Sequence, residues 1–198
     1  MVRRTLGILR VVVLGMTLLA VPRSARAEPL LDPGRASLAV FAGRFNLLSS
    51  HPGTTELGFE ITLPARDVGT RWGKVHLRPL VGAAVHSRRG FWAYAGVTGE
   101  VQLRGRWWLV PSFAAAFFER GSGEALGSRL EFRSGLELAY RIDPRWHLGV
   151  LFYHLSNGDF ASYNPGSESL VLRLGWRLPP GEQRRRAGAI FARGPSRT

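Results

Sequence analysis

Three side chains near the C-terminal end of the sequence have the chemistry of an activated nucleophile: His154, Ser156 and Glu168. A serine hydroxyl attacks an acyl carbon when a neighbouring imidazole accepts its proton, and a carboxylate can hold that imidazole in the productive tautomer. The histidine and the serine are two positions apart, and the glutamate follows a polar loop at 157–166. These residue types predict a serine hydrolase if the fold brings them together.

The elements that must position these residues are two segments of alternating polarity, predicted as strands over about 145–157 and 167–178. Side chains two positions apart share one face of a strand. A hairpin of the two segments therefore places the three polar side chains together at one end of an apolar face. That face comprises Trp146, Leu148, Val150, Phe152, His154 and Ser156 in the first segment and Glu168, Leu170, Leu172 and Leu174 in the second.

Two further residues are candidates for an oxyanion hole. Asn157 follows the serine, and its side-chain amide could donate a hydrogen bond to the developing negative charge. Gly158 would allow backbone N–H groups to approach the same oxygen. A donor of this kind is worth about 10²–10³ in rate in known hydrolases.

The N-terminal segment has the pattern of a cleaved secretory signal over residues 1–27. Arginines at positions 3 and 4 precede an apolar run at 6–21, and Ala25-Arg26-Ala27 provides a small-x-small cleavage pattern. The run is short for a membrane helix and contains Arg10. Export separates the protein from cellular nucleic acid, so no nucleic-acid partner is predicted. The absence of cysteine excludes a disulfide framework, a thiolate metal site and a cysteine nucleophile.

The formal net charge of +13 is concentrated at the two ends of the sequence. The predicted signal accounts for five of these charges, and the Arg-rich tail at 179–198 carries a further net +4. We expect this tail to be disordered. A basic exported protein suits anionic partners such as a membrane surface or a phosphorylated lipid.

Residues 28–178 are predicted to form one eight-stranded antiparallel transmembrane β-barrel. Segments of about 10–14 residues have the length of tilted membrane-spanning strands, and each has one apolar and one mixed polar face. A soluble exported barrel or sandwich, with the apolar face inward, is the alternative. The segments are 36–48, 54–64, 73–87, 91–104, 106–119, 129–142, 145–157 and 167–178. Aromatic residues near their ends are interpreted as interfacial girdles: Trp72, Trp92, Trp107, Trp108, Trp146, Tyr153 and Trp176.

If the chain enters the barrel from the periplasm, the three polar residues lie at the extracellular rim, on the outside wall. Polar groups on a lipid-facing wall are unfavourable at depth and less so near the interface. Their grouping there favours a role at the membrane surface. The Arg88-Arg89 turn lies at the same end and could contact lipid phosphates.

The sequence resembles the PagL-type lipid A 3-O-deacylases, a family of outer-membrane acyl hydrolases with eight-stranded barrels. The resemblance rests on His154-Leu155-Ser156-Asn157, on Glu168 fourteen residues after the histidine, and on Gly175-Trp176-Arg177-Leu178. It implies that Ser156 is the nucleophile, His154 the base and Glu168 its orienting acid. Asn157 would serve the oxyanion hole, and Gly158 is the nearest glycine whose backbone could do so.

The resemblance also implies the substrate and the location. The substrate would be lipid A (lipopolysaccharide) in the outer leaflet of a Gram-negative outer membrane. Its 3-O-linked acyl chain would be released as a 3-hydroxy fatty acid, without a metal or an organic cofactor. The alternative from another class is a non-catalytic small barrel that acts as an adhesin, a structural protein or a lipid-binding protein.

Overall fold

The computed structural model describes residue 30 and residues 34–48, 54–70 and 73–179. The predicted signal (1–27) and, apart from Pro179, the predicted tail (179–198) lie outside the described residues. Within the described ranges, no helix is long and apolar enough to cross a membrane. The described part of the chain forms ten strands: β1 Ser37–Phe45, β2 Thr54–Thr62, β3 Arg66–Thr70, β4 Gly73–His86, β5 Gly90–Thr98, β6 Val101–Arg104, β7 Trp107–Glu119, β8 Leu130–Arg141, β9 Trp146–Ser156 and β10 Ser167–Arg177.

The strands form one closed antiparallel sheet. Neighbours follow the order β2-β1-β10-β9-β8-β7-β5-β4, and pairing between β2 and β4 closes the ring. β3 pairs with the first half of β4, and β6 pairs with the start of β7. β3 therefore continues β2 alongside β4, and β6 continues β5 alongside β7. The predicted eight-stranded barrel is confirmed.

The predicted strand 91–104 is interrupted, and the strand predicted over 54–64 continues past its predicted end as β3. A proline explains the break in pairing at each of these points. Pro64 separates β2 from β3, a strand that was not predicted. Pro111 in β7 faces the gap between β5 and β6, and its carbonyl accepts from the Gly99 N–H at 3.0 Å. Proline has no N–H to donate to a sheet ladder, so pairing stops at these points.

The two faces of the wall have the polarity of a transmembrane barrel. Charged side chains point inward and are buried, whereas the outward side chains are large, apolar and exposed. A soluble barrel would show the reverse. The buried charged set is Glu56, Glu60, Arg78, Glu131, Arg133, Glu137 and Arg173; the exposed apolar set includes Leu57, Phe59, Val81, Val85, Phe113, Leu136, Leu138, Leu148, Val150, Phe152, Leu170, Leu172 and Leu174.

Paired charges fill the centre of the lumen. Arg173 donates to Glu60 at 2.5 Å and to Glu137 at 2.8 Å, and the Tyr94 hydroxyl donates to Glu60 at 2.9 Å. The Arg133 guanidinium lies 4.8 Å from the ring centre of the same tyrosine. Because charges removed from water are tolerated only when they are paired and hydrogen-bonded, this network is what allows a polar lumen to be packed.

Three of the aromatic residues interpreted as girdle residues lie inside the barrel instead. Trp92, Trp108 and Tyr153 are at most 3% exposed. Their positions give the reason, because each shares a strand face with inward-pointing residues and not with the lipid-facing stripe. Their location inside the barrel follows from the face of the strand on which each residue lies, that is from its odd or even position, and not from its distance to the strand end.

Aromatic pairs do ring the outer wall at the end away from the predicted triad. Trp107 packs edge-on against Tyr140 at 5.0 Å, and Trp146 stacks on Trp176 at 5.9 Å. These pairs have the amphipathic character of interfacial anchors. Trp72 lies outside the described residues.

Loop length distinguishes the two ends of the barrel. Three of the four connections at the end that carries the predicted triad are long, whereas the connections 105–106 and 142–145 at the opposite end are short turns. Outer-membrane barrels have short periplasmic turns and longer extracellular loops. By this rule the end that carries the predicted triad is assigned to the extracellular side. The connections there are 46–53, 87–89, 120–129 and 157–166; those at the other end include 105–106 and 142–145.

Candidate active site

His154 and Glu168 form a hydrogen-bonded pair on the outer wall. They are direct register partners on β9 and β10, and Nδ1 of the imidazole lies 3.1 Å from Oε1 of the carboxylate. Their side chains are 17% and 19% exposed. An ionised carboxylate can only accept, so the imidazole carries its proton on Nδ1. This tautomer leaves the lone pair of Nε2 available as a base.

Ser156 is the last residue of β9 and lies on the same outer face, one step closer to the extracellular side than the histidine. It is half-buried, and its register partner on β8 is Phe132. Among the described residues, Ser156 forms no hydrogen bond with the imidazole. Such contacts are often loose in the absence of substrate and tighten in the complex, so the arrangement is compatible with nucleophilic attack.

Gly166 makes room for the imidazole, a role that the sequence interpretation missed. A Cβ atom at this position would lie 2.6 Å from Cε1 of His154, well inside van der Waals contact. The backbone here has φ +70°, a left-handed conformation that favours glycine. In the sequence this glycine belongs to the polar loop at 157–166, which was predicted to connect the two strands and not to form part of the site.

Ser134 is a second residue that was missed. It lies on β8 as the direct register partner of His154, which is therefore flanked by a carboxylate on one side and a hydroxyl-bearing residue on the other. Its even position places this serine on the apolar face of its strand, and no functional role was predicted for it. Its alignment with the histidine depends on the β8–β9 register, which parity alone does not specify.

Aromatic rings border the serine on the β8 side. Phe132 stacks on Phe113 at 6.0 Å and contacts the ring of Phe160 at 5.8 Å. Phe160 belongs to the β9–β10 loop and is 81% exposed. Ser156, the predicted nucleophile, is thus bordered on this side by apolar surface of the outer wall.

The structure places the Asn157 side chain among the extracellular loops. This residue is fully buried because its odd position turns it away from the outer face. Its Nδ2 group donates to the carbonyls of Leu126 at 3.0 Å and Tyr163 at 2.9 Å, and its backbone N–H donates to Asn164 Oδ1 at 3.1 Å. All of its N–H groups are therefore engaged. The residue fastens two extracellular loops and does not present its side-chain amide to Ser156.

Gly158 lies in the exposed turn directly after Asn157. It and Asp159 both have left-handed backbone conformations, with φ of +64° and +65°. The turn is held by the Asp159 N–H, which donates to Asn157 Oδ1 at 3.1 Å. The backbone of Gly158 stays a predicted oxyanion donor.

Comparison with known proteins identifies the family of this chain. The family model described as "Lipid A 3-O-deacylase (PagL)" matches residues 53–177, which include every predicted triad member. The chain belongs to the PagL family. Membership and the barrel architecture together confirm the predicted location in the Gram-negative outer membrane.

Solved structures agree at the level of the fold. The structure titled "Crystal structure of the outer membrane enzyme PagL" matches with a TM-score of 0.60 at 14% identity, over 72% of this chain and 99% of the other. A designed transmembrane β-barrel matches with a TM-score of 0.50 at 11% identity, over 77% and 98% of the two chains. No curated protein matches by sequence.

Proposed function

We propose that this protein is a serine esterase that hydrolyses the 3-O-linked acyl chain of lipid A and releases a 3-hydroxy fatty acid. The observation that carries the proposal is the hydrogen-bonded His154–Glu168 pair on the lipid-facing wall. Ser156 lies on the same face of β9, two positions after the histidine. Family membership supports the substrate class.

In the proposed mechanism, Ser156 Oγ attacks the acyl carbonyl carbon while Nε2 of His154 accepts the hydroxyl proton. Glu168 accepts the hydrogen bond from Nδ1–H and stabilises the imidazolium. The tetrahedral intermediate collapses as the sugar oxygen leaves with the proton from Nε2. Water then attacks the acyl-enzyme with the same base, which yields the fatty acid and the free serine.

The position of the site supports a lipid ester as the substrate. In a lipid of this kind the ester joins a polar sugar to a hydrocarbon chain, so it lies at the boundary between head groups and acyl region. The proposed triad lies at the matching height, at the extracellular end of an apolar wall. Exposed apolar neighbours such as Phe152 and Leu170 extend from the site toward the membrane interior.

We also propose that backbone N–H groups supply the oxyanion hole, with Gly158 as the first candidate. Asn157 is not proposed as a side-chain donor, because both of its amide hydrogens are bonded to loop carbonyls. The left-handed turn after Ser156 brings the Gly158 peptide close to the nucleophile in sequence.

The test is the mass spectrum of lipid A from a Gram-negative host that expresses the protein. The wild-type protein should remove the mass of one 3-hydroxyacyl chain, and Ser156→Ala should remove none. Ser87→Ala is the matched control, because Ser87 lies in an exposed turn at the same end of the barrel. Retained deacylation by folded Ser156→Ala would refute the nucleophile. An unchanged lipid A mass with the wild type would favour a non-catalytic barrel.

A further inference from the structure

A cavity of about 270 Å³ opens at the extracellular mouth of the barrel, apart from the proposed triad. It lies between the end of β1, the start of β2, the β4–β5 turn and the β7–β8 loop. No step of the proposed ester hydrolysis uses it. The lining residues are Phe45, Asn46, Thr54, Arg88, Arg120, Gly123, Glu124 and Ala125.

The charges of the cavity favour an anion that also carries hydroxyl groups. Arg88 and Arg120 are exposed, and within the described part of the chain neither side chain forms an ion pair. Glu124 supplies one carboxylate, which accepts a hydrogen bond from Nδ2 of Asn46. Two guanidinium groups against one carboxylate suit a phosphate, since arginine binds phosphate oxygens through several N–H donors at once.

A buried hydroxyl without a partner points to a ligand. Thr54 is 9% exposed, and its Oγ1 atom has no hydrogen-bond partner among the residues that the structure describes. Leaving a buried polar group unpaired is unfavourable, so most such groups have a partner in the functional state. A ligand hydroxyl in the cavity would provide one.

We propose that this cavity binds a phosphorylated saccharide. Arg88 and Arg120 donate to the phosphate, and Thr54 and Glu124 hydrogen-bond to saccharide hydroxyls. This inference rests on the proposed function to the extent that the phosphorylated sugar of the lipid substrate is the expected source. A free sugar phosphate has the same chemistry and is distinguished below.

Two contacts join the cavity to the proposed active site. The Leu47 N–H, one residue beyond Asn46, donates to the carbonyl of Glu168 at 2.7 Å. The Leu126 carbonyl, one residue beyond Ala125, accepts from Asn157 Nδ2 at 3.0 Å. A saccharide in the cavity therefore contacts two segments that border the proposed triad. One follows β1, which adjoins β10, and the other is the β7–β8 loop.

The first experiment measures binding of glucosamine 1-phosphate to the full-length protein in detergent micelles by isothermal titration calorimetry. All variants carry Ser156→Ala, so that binding is recorded without hydrolysis and its outcome is independent of the proposed esterase activity. Arg88→Gln/Arg120→Gln should weaken binding at least tenfold, and Thr54→Val should weaken it by a smaller factor. Because the arginines are exposed, added salt should also weaken binding.

The matched control is Arg89→Gln/Arg104→Gln, which removes the same charge. Arg89 is exposed and adjacent to Arg88 but does not line the cavity, and Arg104 is exposed at the other end of the barrel. Binding by this control should change less than twofold. Heat-modifiable gel mobility verifies that each variant is folded. No binding by the folded Ser156→Ala protein, or equal losses in the two double variants, would overturn the proposal.

The second experiment identifies the source of the saccharide. Nanodiscs containing deep-rough lipopolysaccharide, or the same lipid after phosphatase treatment, are tested for association with the Ser156→Ala protein. Preference for the phosphorylated lipid that is lost in Arg88→Gln/Arg120→Gln supports the lipid as ligand. If only glucosamine 1-phosphate shows the arginine dependence, the saccharide phosphate site is supported and its occupation by the lipid is overturned.

Discussion

Strand β9 carries two histidines, each beside a glutamate, and the two pairs have opposite fates. His154 meets Glu168 on the outer wall, where both side chains are partly exposed. His147 lies near Glu137 in the lumen, where both are at most 3% exposed. The residue types are the same, so what separates a proposed catalytic pair from a structural one is the face of the strand and the third partner.

The third partner of the lumen histidine removes its basic lone pair. Arg173 has only donors, and its Nη1 lies 3.1 Å from Nε2 of His147, so Nε2 must accept and carries no proton. Oε1 of Glu137 is 3.7 Å from the same nitrogen, too far for a hydrogen bond. In the outer pair the carboxylate lies beside Nδ1, and Nε2 forms no hydrogen bond with any residue that the structure describes. The comparison predicts that exchange of these histidines for alanine affects different properties.

The largest effect is expected for His154→Ala, which should lower kcat for lipid A deacylation by about 10⁴-fold or more, because the serine loses its base. The urea midpoint of unfolding in detergent should change little, since the side chain lies at the surface. His147→Ala should do the opposite, with a kcat within a few-fold of wild type and a lowered midpoint. The rate of fatty-acid release measures activity in both variants. Equal losses would contradict the assignment of different roles to the two histidines.

Glu168→Gln is expected to lower kcat by about 10³–10⁴-fold. The amide can donate to Nδ1 and favour the tautomer that places the proton on Nε2, where it blocks the base. Glu137→Gln is the lumen counterpart and should instead weaken the ion pair with Arg173. Single-turnover kinetics with both variants check the difference; a Glu168→Gln enzyme with wild-type kcat would remove the carboxylate from the mechanism.

Gly166→Ala should lower kcat by about 10²-fold. The new methyl group would lie 2.6 Å from the imidazole, which must move, and misplacement of a catalytic group by about 1 Å is enough for such a loss. KM should change less than kcat. Gly105→Ala is the control, since its φ of +55° imposes similar backbone strain and its Cβ would meet nothing within 4 Å. If the two glycine variants behave alike, backbone strain and not the imidazole contact explains the result.

The smallest effect is expected for Asn157→Ala, about tenfold in kcat together with about 2 kcal/mol in the free energy of unfolding. Two hydrogen bonds from Nδ2 to loop carbonyls are lost, and each contributes about 1 kcal/mol. A side-chain oxyanion donor would behave differently, with a loss of about 10²–10³-fold and unchanged stability. Parallel measurement of kcat and urea unfolding distinguishes the two roles.

The barrel was predictable because its signal is local. Alternation along each segment identified the strands and assigned inward and outward faces, and the predicted segment 145–157 differs from β9 by one residue at each end. The interruptions at Pro64 and opposite Pro111 were also open to a local argument, since proline cannot donate to a ladder. The interpretation of Trp92 as a girdle residue was wrong because it relied on distance from the strand end when parity already placed it inside.

The site was predictable only in part. Even parity placed His154, Ser156 and Glu168 on one face, and the hairpin placed them at one end. Asn157 shows the limit: odd parity indicated an inward side chain, but only the fold revealed the two loop carbonyls that engage its amide. The alignment of Ser134 with His154 depends on the β8–β9 register. The mouth cavity combines four separate segments, of which the sequence indicated only the Arg88-Arg89 turn as a phosphate contact.

The sequence by itself determined that the chain forms membrane-length strands with a polar inner face, and that a hydroxyl, an imidazole and a carboxylate share the outer one. Tertiary structure decided which histidine keeps an Nε2 atom without a hydrogen-bond partner among the described residues, and which aromatic rings fill the lumen. It also decided that two arginines and a buried threonine line the same cavity. The physical reason is that the side-chain period of a strand is a property of neighbouring residues. Pairing partners, by contrast, depend on register and on closure of the sheet, which the whole chain sets together.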